Sequence, residues 1–165
     1  MNQEKNINSL ISIIFIIVII ICGIIVLGVY MNDRWKNMRD IRRQADIKNT
    51  IKAVDIYYLD HSKLPDNVTN NEWDSSYDLA NNNQTLFKVL RDNNLLSQIF
   101  DPKNNEEYQY RYHKFKRGEY GCSRTFAIFQ VTKFETEVED HGQGECLSRN
   151  FVLDAPNGYT YMWFE

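Results

Sequence analysis

The stretch Leu10 to Tyr30, LISIIFIIVIIICGIIVLGVY, decides how this chain is built. Its 21 residues carry no charge, and all but Ser12, Gly23 and Gly28 are apolar. As an α-helix rising about 1.5 Å per residue it would be about 31 Å long, which matches a bilayer hydrocarbon core of about 30 Å. The run exceeds the roughly 7 to 15 apolar residues of a secretory signal, and it ends in Val29-Tyr30-Met31-Asn32 without a small-x-small cleavage site. The segment is therefore expected to stay as an anchor, with Tyr30 and Trp35 at the headgroup level, where an amphipathic ring has one apolar and one wet neighbour.

Outward from the anchor, the 165-residue chain leaves room for about one further domain. Nearly all its aromatic residues lie beyond Tyr30, so bulky rings are expected to fill a small core and the distal region to be folded. Charge is unevenly divided: residues 31–63 carry 8 basic and 5 acidic side chains, and residues 64–165 carry 10 and 16. A distal domain with net negative charge has no general attraction for nucleic acid.

Two signals disagree on orientation. Arg34, Lys36, Arg39, Arg42 and Arg43 follow the apolar run while only Lys5 precedes it, and by the positive-inside rule that places the distal domain in the cytoplasm. Cysteine usage points the other way. Cys22 lies in the anchor, leaving Cys122 and Cys146 as an even pair in the distal domain. A disulfide between them would close a loop contributing about 3 kcal/mol and imply an oxidising compartment; two reduced thiols is the other reading. We take the disulfide and the outside.

Past the anchor, Ile47, Ile51, Val54 and Tyr58 recur at helical spacing and define a packing face. Arg42 with Asp46 and Lys52 with Asp55 are spaced to pair on the opposite side. No Pro or Gly interrupts Val29 to Leu64, so one helix is expected to leave the membrane and run to about Asp60, ended by Pro65. The Asn-, Asp- and Ser-rich stretch 66–83 reads as a loop, residues 84–96 as a short helix, and Asp101-Pro102 as a turn. Alternation predicts strands at Tyr108 to Tyr112, Phe126 to Phe134, Phe151 to Leu153 and Tyr159 to Phe164. The expected class is α+β, a long N-terminal helix packed on a C-terminal antiparallel sheet. Its divisions are 1–9 flank, 10–30 transmembrane helix, 31–64 stem helix, 65–107 connecting segment with a short helix, and 108–165 sheet head.

This order of parts resembles the type IV pilin and type II secretion pseudopilin family. The sharpest match is Arg39-Asp40, Arg42, Asp46-Ile47 and Ile51, then Ala53-Val54-Asp55-Ile56-Tyr57-Tyr58-Leu59-Asp60-His61-Ser62-Lys63-Leu64-Pro65, similar to the tyrosine-rich end of the family's stem helix. A second is Asn94-Leu95-Leu96-Ser97-Gln98-Ile99-Phe100-Asp101-Pro102 followed by Tyr108-Gln109-Tyr110. The usual prepilin cleavage motif is not matched: counting back without gaps places the family's Phe at Asn8 and its Glu at Ser12. The resemblance implies a structural subunit of a type IV pilus or type II secretion filament. It would assemble through Leu10, Ile14, Ile17, Ile21 and Ile24, with partners among like subunits, an inner-membrane assembly platform and the lipid bilayer. An uncleaved, membrane-anchored, extracytoplasmic binding module is the alternative.

For catalysis the chain offers no nucleophile and base pair, phosphate loop or metal-ligand spacing, so neither an enzyme nor a cofactor is expected. His61, His113 and His141 are scattered and read as structural. The resemblance brings in calcium, held by several major pseudopilins in a C-terminal loop, but residues 138–157 show no matching ligand motif. Glu135, Glu137 and Glu139 alternate and read as a solvated acidic edge. The basic run Arg34 to Arg43 reads first as headgroup contact, with pairing within an assembly and DNA capture as lesser alternatives.

Overall fold

The computed structural model describes the backbone of residues 2–69, 72–79 and 83–165, and side chains from residue 14 onward within those ranges. The first helix, α1, spans Asn2–His61. The chain divides into two compact units, Met1–Met38 and Arg39–Glu165. The first is helix alone. Every large apolar side chain from Ile14 to Met31 is exposed, as their even distribution around the helix requires.

In the second unit the rest of α1 lies on a four-stranded antiparallel sheet. The strands are β1 (Asp74–Ser75), β2 (Tyr110–Phe115), β3 (Phe126–Val131) and β6 (Tyr159–Phe164), in the order β1-β2-β3-β6. Register sets Tyr112 opposite Phe129 and Phe129 opposite Tyr161. With a side-chain period of two, Tyr110, Tyr112, Ala127, Phe129, Val131 and Trp163 share one face and form the larger core with Ile47, Val54 and Tyr57 of α1. The other face carries Phe115, Phe126, Ile128 and Met162. It is covered by a cap: the hairpin β4 (Glu145–Cys146) and β5 (Arg149–Asn150), a 3-10 turn Phe151–Asp154, and the Cys122–Cys146 disulfide. Strand β3 is thus buried throughout, which explains its near-continuous apolar run.

Polar tips on buried rings fix α1 against the sheet. Tyr110 Oη donates to Asp46 Oδ2 at 2.9 Å and Trp163 Nε1 to Asp55 Oδ1 at 2.9 Å, so two contacts nine residues apart set the helix register. Asp55 is therefore committed to the sheet rather than to Lys52. Tyr112 Oη donates to the Pro65 carbonyl at 2.8 Å, tying down the chain just past the helix end, where Ser62 takes a left-handed conformation at φ 54°. On the cap side, buried Gln130 satisfies its whole amide: Nε2 donates to Phe151 O and Thr160 Oγ1, and Oε1 accepts from Arg111 Nε.

Four expectations are corrected. The short helix is only α2, Lys88–Asp92, because Phe87 before it is left-handed at φ 51°. Phe151 to Leu153 is not a strand: the Asn150 side chain accepts from Val152 N at 2.9 Å and turns the backbone into the 3-10 turn. The sheet also recruits Asp74 and Ser75 from the connecting segment, and its second strand begins at Tyr110 rather than Tyr108.

Candidate functional sites on the helix and in the head

The candidate assembly helix is a rod of exposed aliphatic side chains: Ile14, Ile17, Ile21 and Ile24 are each about half exposed or more. Leu10 lies outside the residues whose side chains are described. The described helix is long and apolar enough to span a membrane, and its apolar stretch is exposed throughout. Gly23 and Gly28 have open space where a Cβ would stand, and Cys22 is a free, exposed thiol. Charge returns at Asp33, which accepts from Lys36 Nζ at 3.4 Å, and Arg34 lies over the Tyr30 ring at 5.4 Å.

In the head, the expected packing face is present in graded form. Ile47 and Val54 are buried, Ile51 and Tyr58 half-buried against the same core, and Arg43, Thr50, Ala53 and Tyr57 complete the stripe. Arg43 is the departure. Part of a run expected to face headgroups, it is wholly buried and organises an ion cluster. Its Nε and Nη2 donate to the two oxygens of Asp101 at 2.6 and 2.8 Å, and its Nη1 donates to Asp40 at 2.5 Å and Glu135 at 3.2 Å. Arg39 makes a second fork onto Glu135 at 2.5 and 2.7 Å, and Lys103 adds a third cation at 2.9 Å. Asp40 is further held by the amides of Glu135 and Thr136 and by the Thr136 hydroxyl.

Three cations and three carboxylates thus meet where α1, the Asp101 turn and the segment after β3 converge. Burial opposes the Arg43 charge, but hydrogen bonds and attraction from Asp101, Asp40 and Glu135 outweigh it and raise its pKa. The Arg39 fork, with Lys103 and Arg43 and against the opposing effect of burial, pulls Glu135 from an ordinary 4.5 down to about 2. Glu135 is therefore no solvated edge residue: its side chain is 3% exposed, and the Glu135 to Glu139 segment is not a strand. The sequence did hold a signal, since stepping back four residues from Ile47 along the buried stripe lands on Arg43.

The expected pair of cysteines is joined: Cys122 and Cys146 form a disulfide with Cα atoms 5.2 Å apart, packed beside Phe115, Phe126 and Phe151. The histidines have separate settings. His61 stacks on Tyr57, His113 contacts Asn67 and Glu72, and His141 contacts the Gly158 carbonyl. Among the described residues no group of three or more His, Cys, Asp and Glu side chains is arranged to hold a metal ion. No family model matches this chain, and neither does any curated protein or solved structure.

Proposed function

We propose that this chain is a pilin-like structural subunit of a type IV pilus or type II secretion filament, anchored by its N-terminal helix with the head outside the cytoplasm. The observation that carries the proposal is the division of labour within α1: an uncharged stretch with no buried residue, and a C-terminal part, Arg39 to His61, that is integral to an α+β head. An all-apolar helix with its backbone bonded internally is satisfied by lipid tails and equally by copies of itself, so one sequence serves storage in the bilayer and packing in a filament. The disulfide supports an oxidising compartment for the head, against the basic excess after the anchor.

The alternative, an uncleaved anchored binding module, is favoured by Ser12 at the position of the family's Glu. A new amino terminus would there lack its carboxylate partner in an apolar filament core, at a cost of several kcal/mol. A photo-cross-linking residue at Ile17, in living cells, separates the two. The filament subunit gives protein adducts at this position and appears in sheared surface material. Adducts to lipid alone, with an intact Met1 end by mass and no sheared material, establish the anchored module. Protease added to spheroplasts should digest the head; protection would reverse the orientation.

A further inference from the structure

We propose that the head joins a second copy of itself by a knob and a hole: Leu147, at the tip of the β4–β5 hairpin, enters the apolar hole between α1 and the segment 134–140 of the next subunit. The inference rests on the filament reading and names a contact between heads that such a filament needs.

The knob is Leu147, 92% exposed and the most exposed large apolar side chain among the described residues. A lone exposed leucine is ordinary. This one is braced. With Ser148 it forms the two-residue turn of the hairpin, directly after Cys146, whose disulfide to Cys122 ties the tip to the neighbouring turn. Ser148 N donates at 3.1 Å to the carbonyl of Tyr120, which is left-handed at φ 50°. Gly121 follows at φ +78°, where a Cβ would stand 2.8 Å from that of Leu147. A strained residue, a glycine and a disulfide thus hold an apolar side chain out in water, and strain held at an exposed tip marks a surface with a task.

The hole, of about 220 Å³, has buried Ile47 and Phe134 as its floor and half-buried Ile51, Val138 and Tyr159 as its walls. It is smaller than the roughly 300 to 1,000 Å³ of small-molecule pockets and suits one aliphatic side chain.

Charge selects the partner and its orientation. Lys48 stands on the α1 side of the hole and Asp140 on the other, and neither has an ion-pair partner among the described residues. Glu145 and Arg149 flank Leu147 and, by the period of two, lie on opposite faces of the hairpin. Glu145 is likewise without an ion pair among the described residues, and Arg149, shared with Asp154, is 40% exposed. Seated one way round, Glu145 meets Lys48 and Arg149 meets Asp140; reversed, like charges meet. Glu145 beside the leucine also opposes insertion of the tip into an anionic membrane surface.

One molecule cannot fill its own hole. The knob belongs to the cap, on the far face of the sheet from α1 and beside the Phe115 end of β2. That end of β2 meets the end of α1, where Lys114 Nζ donates to Leu64 O at 3.1 Å, whereas Tyr110 at the other end reaches Asp46. From Lys48, at the hole, to His61 the helix rises about 20 Å. A knob and a hole on different surfaces make a heterologous contact that repeats from copy to copy, each stepped by about 20 Å along α1, which is the order of a filament.

The test is a photo-cross-linking residue at Leu147 of the full chain in living cells, with the joined peptides mapped by mass spectrometry. The expected product links position 147 of one copy to residues 44–51 or 134–140 of another. Lys48→Glu should lower its yield about fivefold, and adding Glu145→Lys should restore it. Both side chains are exposed, so neither change disturbs the core. Lys88→Ala, elsewhere on the surface, should leave the yield unchanged. The inference is overturned if adducts form only with lipid or with a different protein, if the link maps outside those residues, or if Lys48→Glu cross-links like the parent. The residue at Ile17 keeps the two readings apart. Protein adducts there without the Leu147 product sink this contact and leave the filament standing; the Leu147 product with lipid adducts alone at Ile17 keeps the contact and ends the filament.

Discussion

Replacing Arg43 by Met tests whether the buried ion cluster holds the head together. The Arg43 side chain is 0% exposed and directs four hydrogen bonds at three carboxylates. Methionine keeps the length and apolar stem but removes every donor. Asp40 would retain two backbone amides and the Thr136 hydroxyl, and Glu135 would retain Arg39 and Lys103. Asp101, its side chain fully buried, would keep among the described residues only the amides of Lys103 at 2.8 Å and Asn104 at 3.5 Å, with no cation. An uncompensated buried carboxylate of this kind costs about 3 to 5 kcal/mol. For a domain of this size that lowers the melting temperature by roughly 10 to 20 °C. Arg39→Ala is the comparison: its side chain is 27% exposed and Glu135 keeps two other cations, so the loss should be about 1 kcal/mol. Adding Asp101→Leu to Arg43→Met should recover much of the deficit, because removing both partners removes the stranded charge. The assay is near-ultraviolet circular dichroism melting of the detergent-solubilised chain. An Arg43→Met head melting within about 3 °C of the parent would refute the reasoning, since that is less than about 1 kcal/mol.

Further outcomes are expected. Glu135 titrates near 2 in the folded head against an ordinary 4.5, so its stabilising contribution is complete above about pH 4.5 and lost as pH falls toward 2; Glu135→Gln melts should be flatter over that interval, and equal slopes would contradict this. Reduction of Cys122–Cys146, which are 24 positions apart, should lower stability by about 3 kcal/mol by loss of the loop constraint, read as a lower denaturation midpoint in dithiothreitol. Gly142→Ala should disrupt the cap, because a Cβ would sit 1.9 Å from the Thr160 carbonyl oxygen at a φ of +74°; a folded variant with an unchanged melt would be inconsistent with that packing. Alkaline carbonate should leave the chain in the membrane pellet, and a single Ile20→Asp, at about 3 kcal/mol, should not release it; release of the parent chain would remove the anchor.

How much of this was legible in the sequence depended on whether a residue's partner is local. The helix, its packing face at Ile47, Ile51, Val54 and Tyr58, and strands β3 and β6 follow from periodicity, which is a property of neighbours along the chain. Arg43 and Glu135 were misplaced because their fate is set by each other across 92 positions, and a charged residue on a buried stripe reads as surface until its partner is known. Asp55 was assigned to Lys52 three residues away, whereas its partner Trp163 is 108 positions distant. The ring contacts of Phe115 with Trp73 and Tyr120 were not legible either, since a loop, a strand end and a left-handed turn meet only once the cap is closed.

The two halves of α1 solve opposite problems, and this bears on how an assembly could be specified. Within residues 39–61, ring tips and ion pairs give the helix one register on its sheet, because each misplacement would strand a buried polar group at about 1 to 3 kcal/mol. From Ile14 to Val29 no side chain has such an obligation, and lipid or another helix removes the same apolar surface from water. Burial therefore cannot discriminate between those surroundings. What can is close packing, which favours helix contacts where small residues let backbones approach, as the open positions at Gly23 and Gly28 would. In the proposed filament the directional contacts would then come from the head, whose polar groups are the ones with something to lose by misalignment.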